Sequence, residues 1–173
     1  MSTIMTTPDR PRSPTAAALR AALAEPFDPS QLKCKPGVIQ GNRALAMPYV
    51  DARDVADRLD QVLGLDGWQD DFEQLPDGAL LCRLQVKVGG AWITRCGVGS
   101  PSEQPDAGDR KKAAESDALK RAAVKFGVGR YLYRLPKSWL GWDPARRLFT
   151  QRPTLPPWAV PKALSRPAVD PPF

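Results

Sequence analysis

From Asp109 to Phe126 the chain reads DRKKAAESDALKRAAVKF, and this stretch restricts the possible folds more than any other. It predicts one long helix with Asp109 as its N-cap. At about 100° per residue, Leu119, Ala122, Ala123 and Phe126 gather on one side, while Arg110, Arg121 and Lys125 fall within roughly 60° of one another on the opposite side. Lys120 stands at the edge of that basic ridge. The apolar seam needs a sheet to lie on, and the ridge must stay in solvent or meet an anion.

The sheet is legible upstream. Trp68–Leu75 begins it, Pro76-Asp77-Gly78 signals a turn, Ala79–Val88 is a strong strand, and Gly89-Gly90 joins it to its partner Trp92–Val98. Gly99–Gly108 reads as a flexible loop. Before the sheet, Val55–Leu63 has apolar residues at helical spacing, with Asp54 as a suitable N-cap and Gly64 as its stop. Ala16–Glu25 predicts a short helix ended by Pro26. Lys33–Asn42 reads as an irregular loop and Ala44–Val50 as a short extended run. The fold class is α+β: an antiparallel three- to four-stranded sheet packed by a long basic helix, with disordered termini. Three segments follow: a polar, proline-containing stretch 1–14, a domain 15–148, and a flexible tail 149–173. Seven prolines between Gln151 and Phe173 predict an extended, unpacked tail.

The formal net charge of +6 suggests a polyanionic partner. Its distribution says more. Nine acidic residues against two arginines lie between Asp51 and Asp77. Eleven basic residues against three acids lie between Arg110 and Arg147, among them Lys111, Lys112, Lys120, Arg121, Lys125, Arg130 and Arg134. One segment can face DNA and the other a neighbouring subunit. Beyond the helix, Gly127-Val128-Gly129 leads into Arg130, Tyr131, Tyr133 and Arg134, which joins fixed charge to rings able to stack on bases. The reading of Tyr131 and Tyr133 favours core over stacking; Trp68 and Trp92 also read as core. Tyr49 is a further stacking candidate, after Arg43.

Three scattered cysteines, Cys34, Cys82 and Cys96, argue for a reducing compartment, and no apolar run approaches a membrane span. A soluble, cytoplasmic protein is expected. There is no histidine and no GxxxxGK[ST] phosphate loop, so neither an ATPase nor any cofactor is indicated. Asp66, Asp70, Asp71 and Glu73 leave a magnesium-dependent nuclease as one alternative. A duplex nucleic-acid module is another. A third is an adaptor using the tail, whose Asp170-Pro171-Pro172-Phe173 faintly resembles the tip of bacterial single-strand binding proteins.

Tyr49-Val50-Asp51, a helix, and then Leu65-Asp66-Gly67-Trp68 resemble the opening of the Rad-fifty-two/Rad-twenty-two family of single-strand annealing proteins. Lys111 to Ala122, followed by Phe126-Gly127, resembles that family's most diagnostic motif, and Gly97-Val98-Gly99 resembles the glycine pair ending its third strand. The resemblance covers roughly Tyr49 to Trp139. It implies a non-enzymatic protein that forms rings or filaments. Such a protein binds single-stranded DNA and anneals complementary strands without ATP in homologous recombination and double-strand break repair. It also implies groove positions at Tyr49, Lys120 and Arg121, with Arg43 or Lys35 standing for an arginine ahead of the tyrosine. A third groove arginine of the family falls on Val124, next to Lys125. Lys87 and Lys111 are candidates for an outer DNA site. The replacement of the family's asparagine-containing run by Val128-Gly129-Arg130-Tyr131 implies a bacterial or phage-type member. The partners implied are single-stranded DNA, further copies of the chain, and a host single-strand binding protein or recombinase, with no membrane.

Overall fold

A computed structural model describes residues 14–162. The elements run α1 (Ala16–Leu23), β1 (Lys33–Gln40), β2 (Arg43–Tyr49), α2 (Ala52–Leu63), β3 (Trp68–Gln74), β4 (Leu80–Val88), β5 (Ala91–Gly99), α3 (Ala107–Val124), a 3-10 helix (Arg130–Arg134), β6 (Ser138–Asp143), β7 (Leu148–Phe149) and a last 3-10 turn (Pro157–Ala159). The strands form two antiparallel sheets, β3-β4-β5 and β1-β2-β6-β7. The α+β class is as the sequence predicts, and the β3-β4-β5 sheet is the expected one. The second sheet is an addition to it.

The β4–β5 hairpin turns at Gly89 and Gly90, with φ of 56° and 86°. Two successive left-handed residues give the turn whose twist matches paired strands, and glycine adopts them without a Cβ clash. Along β4, Leu80, Cys82, Leu84 and Val86 are buried in strict alternation. Burial pushes the Cys82 thiol up to about 12, so it stays protonated. All three cysteines are free.

Helix α3 lies against β5 and β4 through its smallest side chains. Ala114, Ala118, Ala122 and Ala123 are fully buried. Opposite them, a Cβ on Gly97 would sit within 3.0 Å of the Ala122 nitrogen and the Ala118 oxygen, and one on Gly99 within 3.0 Å of the Ala114 oxygen. Real Cβ atoms do not approach backbone so closely, so helix and strand meet backbone to backbone. This is a physical reason for the glycine pair noted in the sequence. Leu119, Val128, Tyr131 and Phe27 continue the core. The Tyr131 hydroxyl accepts a hydrogen bond from the Phe27 N–H at 3.1 Å.

Several sequence expectations need correction. Lys33–Gln40 is a strand and not a loop: β1 is a sheet edge, where Pro36 costs no ladder bond, and the register shifts between Pro36 and Ile39. Helix α3 starts at Ala107, and Asp106 is its cap, accepting from the Asp109 N–H at 3.0 Å. Asp109 therefore lies in the first turn. Likewise α2 begins after Asp51, and Asp54 occupies the third helical position, accepting from the Asp51 N–H at 3.2 Å. Tyr133 and Trp92 are exposed, at 75% and 42%. The reading of the two tyrosines as equivalent fails because the segment is a 3-10 helix, whose period of three turns residues 131 and 133 apart. Trp68 does pack on the core, with its indole N–H on Asp60 at 2.7 Å. The described part of the tail is packed: Ala159 is fully buried, Leu155 lies against the core, and the Lys162 N–H donates to Glu25. Prolines exclude regular structure there but not burial. The disorder expected at the N-terminus and beyond residue 162 falls outside the described residues, apart from Pro14.

Gly99→Ala should destabilise the fold by about 3 kcal/mol, because neither the strand nor the α3 backbone can yield. Val98→Ala, at the exposed position beside it, should change stability by no more than about 0.5 kcal/mol. Tyr131→Phe should cost about 1–3 kcal/mol by orphaning the Phe27 N–H. Urea unfolding of the three variants checks all of these.

Candidate nucleic-acid interface

The side of α3 turned away from β5 does not lie in open solvent. It forms one wall of a groove of about 450 Å³, with β2 and the start of β1 opposite and the 3-10 segment through Lys137 closing one end. The β2 residues from Leu45 to Tyr49 line it, and Lys35 pairs across from Met47. Val124, Val128 and Leu132 make the groove apolar beneath its charged rim.

Lys120 and Tyr49 are 71 positions apart and meet here, the ammonium 5.4 Å from the ring centroid. This is a cation–π geometry. Burial holds the Lys120 ammonium below its ordinary pKa; Asp117 opposes this, and Lys35 adds to it by repulsion. A phosphate arriving at the groove would relieve that repulsion. Arg121 is exposed and donates through Nε to Asp117 at 2.7 Å, a contact that keeps its guanidinium firmly charged. Asp117 is the acid lining the groove, against Lys35, Lys120, Arg121 and Lys137.

Of the sequence-predicted cations, the groove gathers Lys35, Lys120 and Arg121 with Tyr49. Others are engaged elsewhere. Lys125 donates to the Cys96 carbonyl of β5, so it does not take the place of the arginine missing at Val124, which itself lines the groove. Arg130 caps the end of α3, donating to the Val124 and Lys125 carbonyls at 2.8 and 2.7 Å. Arg110 holds the loop before α3 by the Gln104 and Pro105 carbonyls at 2.9 and 2.8 Å. Arg43 donates to the Trp139 carbonyl between β2 and β6 at 2.9 Å. Lys112 pairs with Asp109 in the first turn of α3, next to the exposed Lys111. Lys87 lies 5.8 Å from the Trp92 ring, on the far sheet. Arg134 is exposed just past the groove, beside Tyr133.

The groove also contains residues that the sequence reading does not assign to the site. Tyr133 carries a signal, its ring among cations, although the reading favours core for it. Lys137 and Met47 carry none, since their place depends on the second sheet. Of the four acids considered for metal chemistry, Asp71 and Glu73, on one face of β3, both pair with Arg83 of β4. No helix among the described residues is long and apolar enough to cross a membrane.

Two curated relatives, the single-stranded DNA-binding proteins DdrA of Deinococcus deserti and Deinococcus radiodurans, are 44% and 43% identical to this chain over 141 residues. The match covers 80% of the chain and 68% and 66% of the respective relatives, about two thirds of their length. Residues 15–145 match the family described as Rad52/22 family double-strand break repair protein. With most of its length inside that match, groove and glycine pair included, the chain belongs to the Rad52/22 family.

Proposed function

We propose that this protein binds single-stranded DNA along the groove between α3 and β2 and anneals complementary strands without nucleotide hydrolysis, in recombination and double-strand break repair. The observation that carries the reading is the meeting of Lys120 and Tyr49 from distant elements in one groove, with Lys35 and Arg121 beside them. The names of the two relatives, which describe single-stranded DNA-binding proteins, support it.

The physics is simple. Two bare strands repel each other and fold on themselves. Cations neutralise the phosphates, and each neutralised phosphate releases counterions. A strand held by its backbone, with Tyr133 and Tyr49 at hand for stacking, keeps its pairing edges free to test a complement. Stacking of about 1.4 kcal/mol per step then drives zipping, so binding alone suffices and no enzymatic step is needed. One groove spans few nucleotides, so the activity calls for a ring or filament of copies. The acidic stretch on α2 and β3 offers such a copy a charge complement. Action on chromosomal strands would place the protein in the cytoplasm, at the nucleoid. A host single-strand binding protein or recombinase is the natural further partner, as supplier or user of the strand.

Lys120→Ala with Arg121→Ala should abolish oligo-dT binding while leaving the circular dichroism spectrum unchanged. Any residual binding should show a salt slope shallower by about 0.7 for each phosphate that is no longer neutralised. Lys125→Ala should leave affinity near wild type, because its ammonium serves a β5 carbonyl. Fluorescence anisotropy across a salt series reads both, and duplex DNA in excess should compete poorly. The lowered pKa of Lys120 has a sign: the ammonium is lost earlier as pH rises, and only the charged form pairs with phosphate. Affinity for oligo-dA should therefore fall on the alkaline side in wild type, and Lys120→Arg should flatten that fall.

A further inference from the structure

Two hollows adjoin the β1-β2-β6-β7 sheet, and the groove is one of them. Lys35 lines the groove, whereas its strand neighbours Cys34 and Pro36 line a second hollow of about 560 Å³. The second hollow is covered by the chain from Arg147 to Leu155, beyond the stretch matched to the family. Tyr49, at the end of β2, lines both spaces. They are therefore neighbours around one ring.

The hollow has an aromatic wall and a cationic rim. Trp142 and Phe149 pack edge to face, with centroids 5.2 Å apart and planes at 71°. Arg147 and Arg152 stand at the rim, both exposed, and neither makes a hydrogen bond or ion pair among the described residues. This sets them apart from Lys33, which also lines the hollow but pairs with Asp51, and from Arg146, which pairs with Asp143. Arg147 also has a φ of 55°, the one non-glycine residue with positive φ among those described. A side chain with a Cβ resists that conformation, and such residues gather at functional sites. The turn that imposes it is built by Asp143, whose Oδ1 accepts from the Ala145 and Arg146 N–H groups at 2.9 and 3.0 Å.

We infer that this hollow receives one nucleotide of the single strand as it passes Tyr49 out of the groove. Its base rests on Phe149, which the buried Trp142 supports from behind, and its phosphate on Arg147 and Arg152. Aromatic faces accept any base, and paired guanidinium groups match phosphate oxygens. An acidic peptide would also satisfy two arginines, but continuity with the groove at Tyr49 favours a strand. The inference rests on the reading of the groove as a single-strand site. Beyond the groove, the strand continues past Tyr49 and is anchored in the second hollow.

The test is photo-crosslinking of the full chain to oligo-dT carrying 5-iododeoxyuridine, with peptide mapping, alongside salt-dependent anisotropy. Crosslinks at Phe149 are expected. Arg147→Gly with Arg152→Ala should erase them, weaken binding by about tenfold, and lower the salt slope by about 0.7 to 1.4. Glycine suits the backbone at position 147, so this variant should fold. Crosslinks confined to the groove, with unchanged affinity and slope in the variant, would overturn the inference and leave the groove reading intact. Full affinity in Lys120→Ala/Arg121→Ala would instead overturn the groove reading, and this inference with it.

Discussion

The close approach of α3 to β5 is the contact on which the rest of the molecule depends. Gly97 and Gly99 remove two side chains where the helix backbone passes, and the buried alanines of α3 remove the others. Little side-chain bulk is left between helix and strand, so the helix has almost no freedom to roll or slide. Its rotation about its own axis is thereby set, and with it the direction in which Lys120 and Arg121 project. A helix held by larger, more adaptable side chains would present the same cations with less precision. Packing at the back of α3 thus positions the charge at the front.

The cations of this chain divide by what satisfies them. Arg110, Arg130, Lys125 and Arg43 answer backbone carbonyls at a loop, a helix end and two strands. They hold the frame together. Lys35, Lys120, Arg121 and Lys137 surround an apolar groove whose one acid among the described residues is Asp117. Burial already disfavours the charge on Lys120, so an incoming anion would gain more there than at a solvated lysine. Much of the positive charge over 110–147 is therefore engaged within the fold.

How much of this the sequence showed depended on the range of the interactions involved. The β4–β5 hairpin and α3 were legible because glycine turns and local periodicity specify them. Helical spacing puts Arg121 on the basic ridge and Lys120 at its edge, but only the family resemblance groups them with Tyr49, since no local rule brings residue 49 to residue 120. Strand β1 was missed because Pro36 and Gly37 mimic a loop, and only its edge position in the sheet permits them. Helical angle alone does not show that Lys125 and Arg110 donate to backbone carbonyls. Tyr133 was misplaced for want of one fact, the 3-10 geometry of residues 130–134. The packing of Ala159 into the core was hidden for the same reason as β1: composition reports local stiffness, not distant cover.

Lysine footprinting tests the central claim most directly. The protein would be acetylated sparingly with and without saturating oligo-dT, and each lysine read by mass spectrometry. If the strand lies between α3 and β2, Lys35, Lys120 and Lys137 become protected while Lys87, Lys111 and Lys112 react as before. Protection of that second group, with Lys120 as reactive as in the free protein, would contradict the account.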